Sequence, residues 1–176
     1  MRTRVQPLAR WLTALVLIFV FAGCGYHLPR RGHNLPVRIK SLAVPVFANK
    51  TFEAGIEDGL TDALILELSK TGWVIVSDVE QADAVVYGTI NSFRTSPISF
   101  SISELAVEYR AVMSCKVVVE DSSGHKLWND PNVSERREYE VTSDPFASEA
   151  AKQTALDQMA AAIAEQIHDR LFDGFY

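Results

Sequence analysis

Phe21-Ala22-Gly23-Cys24 closes an apolar run and is followed at once by Gly25-Tyr26-His27. The chemistry this spacing could serve is processing. Ala22 and Gly23 fit the narrow subsites of a signal peptidase, which would cut between Gly23 and Cys24 and leave Cys24 as the new N terminus. No other arrangement of reactive side chains stands out. The four histidines, His27, His33, His125 and His168, fall in a tether, a turn and a helix end without metal-ligand spacing. There is no G-x-S-x-G, phosphate-binding loop or paired-cysteine motif. No catalytic residue and no metal is expected, and the chain reads as a non-enzyme.

The residues before Cys24 read as an address. Arg2, Arg4 and Arg10 give a positive leader, and Trp11 to Ala22 is an apolar stretch of about 12 residues, shorter than the roughly 20 that span a bilayer. Residues 1–23 are therefore expected to be a signal peptide. With the cysteine, the stretch resembles the lipobox of bacterial lipoproteins, although Phe21 stands where leucine is usual. That resemblance implies a covalent diacylglyceryl group and an N-acyl chain on Cys24, with no other cofactor. At about 0.8 kcal/mol per buried methylene, two or more chains make an effectively permanent anchor. Such lipoproteins use aspartate after the cysteine for inner-membrane retention. Gly25 stands there instead, so the expected location is the periplasmic side of the outer membrane.

The 153 residues after Gly23 suit one compact domain. The leader removes three arginines and no acid, which takes the formal charge from −5 to −8. Nucleic-acid binding rests on phosphate neutralisation by Lys and Arg and is not expected of so acidic a domain. With Cys24 lipidated, Cys115 stands alone and forms no internal disulfide. Residues 24–37, with Pro29, Pro36 and the Arg30-Arg31-His33 cluster, read as a tether. Residues 38–176 form the domain.

The elements of that domain follow from periodicity. Arg38 to Phe47 is a nearly continuous apolar strand whose Pro45 should lie at its end or at an unpaired site, and Asn49-Lys50-Thr51 supplies turn and cap chemistry. Ile56, Leu60, Leu64 and Leu68 place an amphipathic helix over about 53–71, stopped by Gly72. Trp73 to Val76 and Ala82 to Ile90 are strands, with Gly88 allowing the close approach of a neighbour. Ile98, Phe100 and Ile102 alternate with serines, which fits either a two-faced strand or a loop. Alternation from Val107 to Glu120 puts Tyr109, Ala111, Met113, Cys115, Val117 and Val119 on a buried side and Arg110, Ser114, Lys116 and Glu120 on a wet one. Asp121 to Gly124 is a hairpin turn. A return strand starts at Lys126, is interrupted at Asn129 to Asn132 and resumes over Val133 to Val141. Ser143-Asp144-Pro145 opens a second helix with a stripe from Ala155 to Leu171. The order β-α-β-β-β-α predicts an α+β fold with two helices on one face of a mixed, largely four-stranded sheet.

Several of these segments, taken in order, carry a resemblance. They are Cys24-Gly25-Tyr26-His27-Leu28, Leu42 to Thr51, Gly55-Ile56-Glu57, Leu60 to Leu64, Ala82-Asp83-Ala84 leading to Gly88-Thr89-Ile90, Glu108-Tyr109 and Leu127-Trp128. Together they resemble the LptE family of lipopolysaccharide-assembly lipoproteins. The resemblance implies an outer-membrane lipoprotein that partners the β-barrel LptD as a plug and assists assembly of lipopolysaccharide into the outer leaflet. The stretch around Phe47, Asn49 and Thr51 is also close to the curli-secretion lipoprotein and the TolB amino-terminal domain, which would imply secretion or scaffolding instead. For lipopolysaccharide contact the candidates are Arg94, Arg110, Lys116, Lys126, Arg136 and Arg137, as charge-assisted donors to phosphate. Arg110 and Lys116, on the wet face of one strand, are expected to share a patch.

Overall fold

A proline sets the first break in the chain. The computed structural model describes residues 39–70, 75–76, 78–102 and 105–172. The expected signal peptide, the Gly23–Cys24 cleavage site, the lipid-bearing Cys24, the tether, and the Gly72 and Trp73 positions lie outside them. The single strand expected over 38–47 is two short ones, β1 (Ser41–Ala43) and β2 (Ala48–Asn49), with Pro45 in the gap between them. Proline has no N–H for a ladder, so pairing lapses there. Asn49 Oδ1 accepts hydrogen bonds from the Thr51 amide and hydroxyl at 2.8 Å, while Asn49 Nδ2 donates at 2.7 Å to the Glu53 carbonyl and to Glu57. This network leads into helix α1 (Ile56–Ser69), entered through Gly55 at φ 85. Buried Thr61 on α1 accepts the Phe47 amide at 3.0 Å and fixes the strand to the helix.

The sheet then grows outward. After β3 (Ile75–Val76) come β4 (Ala84–Phe100), β5 (Ala106–Asp121) and β6 (Lys126–Glu140), in the spatial order β3-β1-β4-β5-β6, with β2 also on β4. The short strands pair in parallel and the long ones antiparallel, so the sheet is mixed. The alternative left open for the segment after Arg94 resolves in favour of strand, since β4 continues through Phe100 opposite Ala106. The interruption expected at Asn129 to Asn132 is a bulge within a continuous β6, where Cys115 opposes Val133 and Val117 opposes Asp130. Asp121 accepts the amides of Ser123 and His125 at 2.8 and 3.0 Å, which closes the hairpin turn with Gly124 at φ 80.

Helix α2 (Pro145–Phe172) starts as its residues dictate. Asp144 Oδ1 accepts the Phe146 amide at 2.9 Å, and Pro145 takes the first position, where an N–H has no partner. Ala155, Leu156, Met159, Ala160, Ile163, Ile167 and Leu171 are buried, as are Ile56, Leu60, Leu64 and Leu68 of α1. Both stripes join Val86, Ile90, Met113, Val117, Val119 and Val133 of the sheet in one core. The α+β architecture with two helices on one sheet face is thus as the sequence predicts. Gly88 permits a close approach, because a Cβ there would lie 2.1 Å from the ring of Phe47, which is 2% exposed. Cys115 is a free, buried thiol, and burial pushes its pKa up to about 12.

Candidate functional site

With both helices on one side, the other side of β4, β5 and β6 is open, and its composition follows from register. Residues opposite each other across antiparallel strands share a face. Ser92, Ser114 and Ser134 form one cross-strand row, with the Ser92 and Ser114 hydroxyls 2.8 Å apart. The next row is Arg94, Val112 and Arg136, and the next Ser96, Arg110 and Glu138. On the other flank of the serine row Lys116 stands opposite Thr89. Arg94, Lys116 and Arg136 are exposed, and Val112 is 39% exposed. Between Lys116 and Arg110 the open face carries no carboxylate on these three strands.

Two bulges place the arginines there. Along the first part of β4 the odd residues Val85, Tyr87 and Thr89 share a face with Glu120, Val118 and Lys116. The register then slips between Ile90 and Ser92, and from Ser92 onward the even residues take the open face while Phe93 packs on the core. On β6 the slip opposite Lys116 has the same effect: Trp128 and Asp130 lie on the helix side before it, Val133, Glu135 and Arg137 after it. A bulge re-aims the side chains beyond it. Had the same residues paired in unbroken alternation, Arg94 and Arg136 would point toward the helices.

The sequence candidates divide accordingly. Arg110 and Lys116 do lie on one open face, but six residues apart on β5, about 20 Å along the strand. Arg110 Nη2 and Nε donate to Glu138 Oε1 at 2.7 and 3.0 Å, so its charge is already met. Arg137 faces the helices and pairs with Glu135, which also accepts Gln166 of α2 at 2.9 Å. Lys126 sits at the start of β6, opposite Glu120. Arg94 and Arg136 are the pair that register brings together, and sequence alternation alone did not single them out.

Elsewhere the described surface has one other distinctive region. The end of the β4–β5 hairpin presents Phe100, Ile102 and Leu105 to solvent, and Phe146 is exposed at the start of α2. Contiguous exposed apolar groups mark contact surfaces. A cleft of about 240 Å³ between α1 and α2, bordered by Gly55, Gly59, Leu156 and Asp157 over Met113, brings no reactive pair together. No helix among the described residues is long and apolar enough to cross a membrane.

A family model described as LptE, Lipopolysaccharide-assembly, matches residues 39–171. No curated protein matches the chain significantly. Among solved structures, the fold is similar to that of a Caulobacter crescentus protein described as a lipoprotein, at 19% identity, with 72% of this chain and 87% of that one covered and a TM-score of 0.56. Rare lipoprotein B from Shewanella oneidensis is similar at 17% identity, with 73% and 91% covered and a TM-score of 0.51. A minor lipoprotein from Acinetobacter baumannii shares 16% identity over 77% and 92%, again with a TM-score of 0.51. At these identities the likeness is one of fold.

Proposed function

Since this chain belongs to the LptE lipopolysaccharide-assembly family, we propose that it is a lipid-anchored subunit that partners the outer-membrane β-barrel LptD as a plug and assists delivery of lipopolysaccharide to the outer leaflet. The observation that carries the reading is the family match, which runs from the first core residue, Ile39, to the last, Leu171. The shape of the domain supports it. One sheet face is packed by helices and the other carries a largely polar stretch from Lys116 to Arg110, which suits a body that must sit in a wet barrel lumen. The apolar hairpin end is a contact surface of the kind a partner wall would cover. Under this reading Cys24 carries the diacylglyceryl and N-acyl chains on the periplasmic side of the outer membrane. The anchor makes the encounter with the barrel two-dimensional. Arg110 and Lys116 mark the two ends of the face offered to lipopolysaccharide phosphates.

Purification of the lipidated protein from outer membranes, followed by mass spectrometry, tests the partnership. The expected result is co-purification of one large β-barrel protein. A ring of identical subunits without a barrel would overturn the reading. For the ligand, Arg110→Asp with Lys116→Asp should weaken lipopolysaccharide binding, and unchanged binding would remove those two residues from the site.

A further inference from the structure

We propose that the outer edge of β4 from Phe93 to Pro97 takes up an extended segment of the barrel partner as an added strand, with a carboxylate of that segment set against Arg94. The inference deepens the proposed function and rests on it for the identity of the partner. Sheet order leaves this edge open. On that side β1 pairs with β4 as far as Val85 and β2 as far as Ile90, and among the described residues no strand lies beside β4 from Asn91 to Phe100.

Register decides which backbone groups the edge offers. The Val141 amide donates to the Val107 carbonyl at 2.9 Å, so Val107 turns its polar groups toward β6. Such groups alternate with a period of two in antiparallel pairing. Those of Tyr109, Ala111 and Met113 therefore also face β6, and those of their partners Pro97, Thr95 and Phe93 face away from β5. The Lys50 amide, which donates to the Ile90 carbonyl at 3.0 Å, lies on this same outer side. An incoming strand thus meets the N–H groups of Phe93 and Thr95 and the carbonyls of Phe93, Thr95 and Pro97. Pro97 supplies no donor and ends the ladder. Strand addition uses such groups for affinity, and charged side chains are the usual block to it. The outer strand β6 has that block in Glu135, Arg136, Arg137, Glu138 and Glu140, whereas Thr95 to Phe100 of β4 carries no charge.

Length and charge select the occupant. Lys50 and β2 close the lane below Asn91, so a second copy pairing through its own β4 would run its hairpin end into β2, and a short segment fits. Arg94 is exposed and makes no ion pair among the described residues. The residue opposite it on an added strand shares its face, where an opposite charge is favoured.

Amide hydrogen exchange resolved to single residues tests this, on full-length lipidated protein in non-ionic detergent, alone and as co-purified with the barrel. Exchange reports hydrogen bonding amide by amide. Phe93 and Thr95 should exchange fast in the free protein and at least ten-fold more slowly in the complex, while the outward amides of Ser134 and Arg136 on β6 change less than two-fold. Arg94→Glu should remove most of that protection. Thr95→Pro, which deletes an outward donor and leaves the β4–β5 ladder whole, should release Phe93 as well. Slow exchange already in the free protein would assign the edge to a second copy and overturn the proposal. Equal slowing on β6 would mean enclosure in place of pairing and would also overturn it, as would wild-type protection in either variant. Recovery of a barrel with Phe93 and Thr95 still fast overturns this inference and leaves the proposed function standing. Recovery of no barrel overturns the proposed function, and this inference with it.

Discussion

Gly88 holds a place that no other residue can take without cost. Any Cβ there meets the Phe47 ring at 2.1 Å, and that ring is enclosed between β4 and α1. Gly88→Ala therefore overpacks a closed site, for which about 1–3 kcal/mol is usual, and a lowered urea midpoint with an unchanged slope is the expected reading. A second residue ties two strand ends together. Asp83 Oδ2 accepts the Lys40 amide at 2.8 Å, the Ser41 amide at 3.1 Å and the Ser41 hydroxyl at 3.2 Å. The Lys40 amide bond is the main cause of a carboxyl pKa held below its ordinary value of 3.8, against a smaller opposing effect of burial. A folded pKa below the unfolded one means stability that is fully present above about pH 4 and is lost as pH falls through the folded value. Asp83→Asn should therefore flatten that part of the acid limb, seen as a smaller fall in melting temperature between pH 4 and pH 2.

Strands β4 and β6 show why a strand is more than an alternating pattern. Each carries a slip that exchanges its two faces part way along, one at Asn91 and one around Pro131. Deletion of Asn91 would remove the extra residue and restore strict alternation, with Ile90 still opposite Cys115 on the core side and Ser92 and Arg94 still opposite Ser114 and Val112 on the open face. The expected outcome is an unfolding free energy within about 1 kcal/mol of wild type in denaturant titration, and a much larger loss would show that the bulge itself is required. Sequence signals for the two differ. Asp130-Pro131-Asn132 breaks the pattern visibly, because proline cannot donate and Asp130 caps the Asn132 amide at 3.0 Å. Asn91 has no such mark, since asparagine in a strand is also compatible with plain pairing.

The domain over the described residues is one sheet gripped on one face by two helices, and its stability rests on that layer. Ile163 lies in the middle of the α2 stripe and is fully buried in the common core. Ile163→Ala should cost about 2–5 kcal/mol, the range for emptying such a position, and near-equal shifts by fluorescence and circular dichroism would report helix and sheet unfolding together. The open face contributes little to this layer. It keeps uncovered polar groups and, among the described residues, cations without an ion pair. The apolar hairpin end at Phe100, Ile102 and Leu105 adds a contact surface at one pole.

Local pattern was enough for much of this. The helical stripes, the buried side of β5 with Cys115, the cap at Asp144, the close approach at Gly88 and the α+β order all follow from interactions within a few residues, where period and capping chemistry act directly. The expected lipid attachment at Cys24 likewise rests on a short run. What only the tertiary structure decided is pairing: that Arg110 is answered by Glu138, that Arg137 turns inward to Glu135, and that Arg94 and Arg136 meet across Val112. These depend on register between distant strands and on two one-residue slips. Because side chains alternate with a period of two, a single inserted residue reverses every face beyond it.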